Sequence, residues 1–174
     1  MKKSQKGFSL IELLIVVAII LIIAAIAIPN LLRSKMTANE ASAVGSLRAL
    51  TTAAVTYSAI YGNAFPPSLG AMGGAAGTIA ATCDQSLLID PVLSNNGAGN
   101  TSQKTGYSFT YVPGVAIPSP PAGCTAAGVN NYTINAVPVT VGSTGQRGFF
   151  VDASGVIRFT TDGTLPTVAS PALQ

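Results

Sequence analysis

Lys6-Gly7-Phe8-Ser9-Leu10-Ile11-Glu12 opens an apolar run that continues to Ile28 and stops at Pro29. Residues 8–28 are twenty-one positions, of which fifteen are Leu, Ile, Val or Phe. About 20 apolar residues suffice to cross a bilayer as a helix. At about −0.3 to −0.6 kcal/mol each, those side chains favour insertion by roughly 5–9 kcal/mol. Glu12 opposes it, but a charge costs about 3 kcal/mol only at the centre of a span and less near an end. The stretch therefore reads as a membrane segment with one carboxylate close to its start. A cleaved secretory signal has a shorter apolar core and a small-x-small site behind it. Pro29-Asn30-Leu31-Leu32 offers no such site, and Ala24-Ala25-Ile26-Ala27 lies inside the run.

Lys2, Lys3 and Lys6 precede the run and hold the N-terminus on the cytoplasmic side. Arg33 and Lys35, just beyond Pro29, reduce that asymmetry. The formal charge of the whole chain is +3. Three of the nine basic residues lie before Phe8, so a chain beginning at Phe8 balances six basic against six acidic side chains. That balance gives no nucleic-acid footprint. Arg33, Lys35 and Arg48 read as a solvated helix face.

Glu12 is the anomaly within the run. An ionisable group inside a span calls for a named partner, because an unpaired charge taken out of water is very costly. No basic residue follows it until Arg33. The nearest positive group before it is Lys6 or, after cleavage behind Gly7, the new amine of Phe8.

Lys-Gly-Phe-Ser-Leu-Ile-Glu-Leu-Leu-Ile-Val-Val-Ala-Ile-Ile, residues 6–20, resembles the N-terminus of type IV prepilins and of the related type II secretion pseudopilins. Gly, an aromatic residue and Glu stand at the family's fixed offsets, and Ser9 occupies a position where many members carry Thr. The resemblance implies a leader, residues 1–7, cut after Gly7 by a membrane prepilin peptidase, and N-methylation of Phe8. It implies that Glu12 pairs with the Phe8 amine of a neighbouring subunit, which sets axial register in a helical filament. It further implies an inner-membrane precursor, an inner-membrane assembly machinery as partner, and a surface pilus as the destination. The seven-residue leader matches the short-leader type IVa class.

The remainder of the chain is expected in three parts. Residues 29–62 are the amphipathic half of the same helix. Pro29 lacks an N–H and crowds the preceding turn, so a kink or local melting is expected there. Ala43, Leu47, Leu50, Ala54, Tyr57 and Tyr61 then recur at helical spacing on one face, with Arg33, Lys35, Glu40 and Arg48 mostly off it. Gly62-Asn63 is the expected stop. A helix from Ser9 to Tyr61 is ~80 Å long, too long for a small globule to bury. Residues 63–106 read as an irregular connection, with a turn or short strand near Ser86–Ile89 and an exposed loop at Ser94–Asn100. Residues 107–174 hold the sheet and a C-terminal tail. Tyr107–Val112 and Tyr132–Val137 alternate with period two, and Gly148–Asp152 and Val156–Thr160 are joined by a hairpin loop containing Gly155. Three or four antiparallel strands against the half-helix give an α+β ladle.

Cys83 and Cys124 are the two cysteines, and an even pair in an exported domain favours a disulfide. The chain has no histidine, no Cys-x-x-Cys and no phosphate loop, and its acidic residues beyond Glu40 are scattered. No catalytic constellation, cofactor or metal site is expected; Asp152 and Asp162 read as turn residues. The calcium-loop acidic cluster of major pseudopilins is missing near this C-terminus, which favours a pilus subunit over a secretion pseudopilin. Two alternatives stay open: a minor pilin or pseudopilin, and a membrane-anchored binding domain that never polymerises.

Overall fold

The computed structural model describes residues 7–62, 64–120 and 123–173. The lysines of the leader, and Asn63, lie outside the described residues. Chain contacts divide the molecule into two compact units, Met1–Lys35 and Met36–Gln174. Helix α1, Leu10–Tyr61, contributes to both.

In the first unit the helix has no core to enter. From Phe8 to Ile28 its large apolar side chains face outward, Leu10 at 76% and Leu21 at 63% exposure. The helical assignment is continuous across Pro29, so the expected local melting does not occur. Proline at this position removes one N–H from the ladder, and the bonds on either side keep the helix intact.

In the second unit α1 buries one face: Asn39, Glu40, Ala43, Ser46, Leu47, Leu50, Ala53, Ala54 and Tyr57. The expected stripe is there, with Tyr61 half-buried at its end. Gly62 closes the helix with φ +94°, the left-handed conformation that glycine adopts without a Cβ penalty. The stripe meets a five-stranded antiparallel meander of sequential order. Its strands are β1 Thr101–Lys104, β2 Tyr107–Pro113, β3 Tyr132–Pro138, β4 Gly148–Asp152 and β5 Arg158–Thr160. Alternate residues of β2 and β3 point at the helix. Tyr107, Phe109, Tyr111, Tyr132, Ile134 and Ala136 form one cluster with Ala43, Leu47, Leu50 and Ala54. Leu47 and Leu50 are fully buried, and each contributes about 1.5–3 kcal/mol over an exposed position. The result is an α+β pilin-like fold.

Strand β1 lies inside the stretch expected to be irregular. Its residues, Thr-Ser-Gln-Lys, carry no apolar alternation. It is held by a two-residue hairpin in which Thr105 and Gly106 both have positive φ, 51° and 75°, the geometry that matches strand twist. Helix α2, Leu69–Met72, is also in this stretch, capped by Ser68. Ser86–Ile89 forms neither turn nor strand. It instead donates its N–H groups to the carbonyls of Ala71, Met72 and Gly73. The loop 94–100 is mostly exposed as expected, although Ser94 is fully buried.

The last hairpin is shorter than its sequence indicated. Val156 and Ile157 stand before β5, and the Ile157 carbonyl accepts from Leu173 N–H in the C-terminal tail. Phe159 N–H likewise donates to the Pro171 carbonyl, so the tail lies along β5. Gly155 has φ +77° in the connecting loop. Cys83 and Cys124 form a disulfide across 41 residues, joining the helix–sheet connection to the β2–β3 loop. Tyr57 Oη donates to the Cys83 carbonyl at 2.8 Å. Burial, and behind it the charge of Asp84, push that phenol up to about 12.

Candidate functional site

The N-terminal turn is built by three residues. Ser9 is the helix cap: its carbonyl accepts from Leu13 N–H at 3.3 Å. Three residues on, the Glu12 carboxylate reaches back and accepts the Ser9 backbone N–H at 2.9 Å. This is the reach-back arm of a capping box, which satisfies one of the orphan donors at a helix start. A carboxylate in the first turn also faces the positive end of the helix dipole. Ser9-x-x-Glu12 is the sequence signature of such a box, and it was available from the sequence alone. Glu12 therefore has a structural role within its own chain.

Phe8 is 81% exposed, immediately before the cap. A Cβ placed on Gly7 would meet nothing within 4 Å. The folded chain does not itself require glycine at position 7. Gly7, Phe8 and Glu12 thus share one exposed terminus, followed by an apolar surface on which none of the described residues packs. Across the most apolar eighteen-residue window of α1, no residue is buried.

The second unit holds a polar anchor of a different kind. Glu40, 7% exposed, lies on the buried face of α1 rather than off the stripe where its periodicity put it. Its Oε1 accepts the backbone N–H groups of Gln146 and Arg147 at 2.9 and 3.1 Å. Its Oε2 accepts Arg147 Nε at 2.7 Å. Burial alone would raise this carboxyl, but the Gln146 and Arg147 hydrogen bonds outweigh it and hold the group below its usual value. Asn39 Nδ2 donates to the Thr144 carbonyl beside it at 2.8 Å. The Arg147 guanidinium lies over the Phe149 and Phe159 rings, 5.6 and 5.9 Å from their centres. Sequence reading missed this anchor, because a carboxylate off an apolar stripe gives no sign of a partner 107 residues away. Asp152, the last residue of β4, and Asp162, in the bend after β5, each accept from the N–H and hydroxyl of a residue two further on, Ser154 and Thr164.

Residues 2–28 match the family model for the prokaryotic N-terminal methylation motif. A type IV wide pilus major component of Thermus thermophilus is 60% identical over 38 residues, 22% of this chain and 29% of that protein. A type IV major pilin protein of Myxococcus xanthus is 53% identical over 49 residues, 28% of this chain and 22% of that one. A fimbrial protein of Pseudomonas aeruginosa is 56% identical over 52 residues, 30% of this chain and 34% of that protein. The match spans about a fifth to a third of the length of these relatives. No solved structure matches the chain. The N-terminal segment is similar to that of these type IV pilins, and the α+β fold behind it agrees with that class.

Proposed function

We propose that the chain is a structural subunit of a type IV pilus, made as an inner-membrane precursor. Prepilin peptidase cuts after Gly7 and methylates the new Phe8 amine, and the mature chains polymerise through their N-terminal helices. The observation that carries this reading is the apolar surface of residues 8–28, nowhere buried and lying within the residues that match the methylation motif. In the precursor that surface lies in lipid. In the filament the same surface packs against the helices of other subunits. Burial against water is worth about 25 cal/mol per Å² of apolar surface. Against lipid the exchange is nearly neutral, because acyl chains are as apolar as leucine. Transfer from membrane to filament therefore needs driven extrusion, and polar contacts rather than bulk hydrophobicity set the register.

Glu12 supplies that contact. In the isolated chain its carboxylate caps its own helix. In the filament it pairs with the methylated Phe8 amine of a neighbouring subunit, a partner that exists only once the leader is gone. The exposed terminus and the glycine that the chain's own packing does not require support processing at this position. Intact-mass measurement of the chain recovered from cells tests the reading. A mass beginning at Phe8 with one added methyl group is expected. A chain that begins at Met1 and carries no methyl group contradicts it, and points to a membrane-anchored domain that is neither cut nor assembled.

A further inference from the structure

A groove of about 630 Å³ runs along the free edge of the sheet, within the size range of small-ligand sites. One wall is the turn that carries Val92, Asn95 and Asn96, and the other is β1 with Thr101, Ser102 and Gln103, next to Ser108 of β2. The two edges of the sheet differ. The β5 edge is covered by the tail, through the Leu173 and Phe159 hydrogen bonds, whereas among the described residues β1 has only β2 beside it.

The groove is preformed. Asp90 joins its walls: Oδ1 accepts Leu93 N–H at 3.0 Å within the turn, and Oδ2 accepts Lys104 Nζ at 2.7 Å from the end of β1. The turn is tied down by five backbone hydrogen bonds between residues 90 and 98. Asn95 and Asn96 stand consecutively at φ 51° and 52°. Asparagine is among the few residues that adopt left-handed backbone readily, so the turn holds this shape at little cost.

The chemistry of the lining selects the ligand. Three side-chain amides, Asn95, Asn96 and Gln103, and two hydroxyls, Thr101 and Ser108, line the groove with one apolar residue, Val92. Each amide offers donors and an acceptor, and each hydroxyl can do either. The Asn100 carbonyl accepts Tyr111 N–H at 2.8 Å. By the alternation of an antiparallel ladder, Thr101 and Gln103 then turn their backbone N–H and C=O away from β2, toward the open edge. Ser102, 5% exposed, shares the core face of the sheet with its partner Phe109, so its hydroxyl does not meet a ligand in the groove. No charged side chain lines the groove among the described residues, so neither a phosphate nor a cation is favoured. Strand addition is also disfavoured, because β1 is four polar residues long and ends in Lys104. We propose that this groove binds a neutral saccharide, its vicinal hydroxyls bridging the amides of the turn and the edge of β1.

The inference does not depend on filament assembly. The full chain, isotope-labelled and held in a detergent without a sugar headgroup, is titrated with lactose, maltose and chitobiose and followed by amide resonances. Saturable shifts confined to residues 92–96, 101–103 and 108 are expected for at least one of these sugars, with Kd of about a millimolar. Gln103→Ala and Asn96→Gly, the latter keeping the left-handed backbone, should each weaken binding about three- to tenfold while leaving the remaining spectrum unchanged. Three results would overturn the proposal: no saturable shift with any of the sugars, shifts elsewhere on the surface, or unchanged affinity in both variants. A response to an extended Ser/Thr peptide with none to the sugars would overturn it in favour of strand addition.

Discussion

Glu12 and Glu40 are both carboxylates on helix α1, and their neighbours give them different tasks. Glu12 caps the first turn through Ser9 N–H, so two effects can be separated by substitution. Glu12→Gln keeps a side chain able to cap and removes the charge. Glu12→Ala removes both. If register depends on pairing with a neighbour's amine, both variants insert and are cut, and both assemble poorly when surface filaments are sheared and quantified. Normal assembly of Glu12→Gln would leave capping as the only role of this residue. Glu40 is held by two backbone N–H groups and by Arg147. Glu40→Ala leaves those donors unsatisfied and should cost about 1–3 kcal/mol in a denaturant titration. Arg147→Ala should cost less, because that side chain is 38% exposed and the backbone donors still serve the carboxylate. The Glu40 carboxyl is depressed in the folded state, so its contribution is present above the unfolded-state value. It is lost as pH falls through the lower folded value. Acid unfolding monitored by circular dichroism should therefore shift to lower pH in the wild type relative to Glu40→Gln. The sequence showed Glu12, because a charge interrupts an apolar run. It hid Glu40, whose partners come from a distant loop.

At the scale of elements, what could be read from the sequence follows from which side chains meet the core. The stripe Ala43–Tyr61, β2 and β3 were legible because their buried residues recur with the period of the element. Strand β1 was not, since its edge position and polar residues leave only one buried side chain, Ser102. What fixes it is the Thr105-Gly106 turn, a weaker signal than Asn-Gly. The start of β5 was misjudged because the apolar residues Val156 and Ile157 continue the pattern of the strand although pairing with β4 begins only at Arg158. Two substitutions test how the helix–sheet connection is held. Cys83→Ser opens a loop closed across 41 residues and should cost roughly 3–4 kcal/mol by the chain-entropy estimate, with membrane insertion unaffected. Gly70→Ala would drive a Cβ into the Gly97 carbonyl oxygen. That contact is with backbone, so α2 or the 90–98 turn must move, and a lower melting temperature is expected. An unchanged melting point in either variant would show that the connection is held by other contacts.

For the molecule as a whole, the two units of the chain have opposite solvent preferences. Met36–Gln174 carries its own core of helix and sheet. Met1–Lys35 buries none of the residues of its most apolar window. A chain with such a surface is stable in water only when something covers it, and lipid and other copies of the same helix are the two proposed covers. The hydrophobic run and the methylation motif made this half legible from the sequence. The saccharide groove was not legible, because amides and hydroxyls scattered between residues 95 and 108 acquire meaning only when a turn and a strand edge bring them together. The most direct measurement is the intact mass of the subunit taken from sheared surface filaments. The expected species begins at Phe8, carries one N-methyl group and contains the Cys83–Cys124 disulfide. Filaments lacking this chain, or a recovered chain that still carries residues 1–7 without methylation, would contradict its proposed role as a pilus subunit.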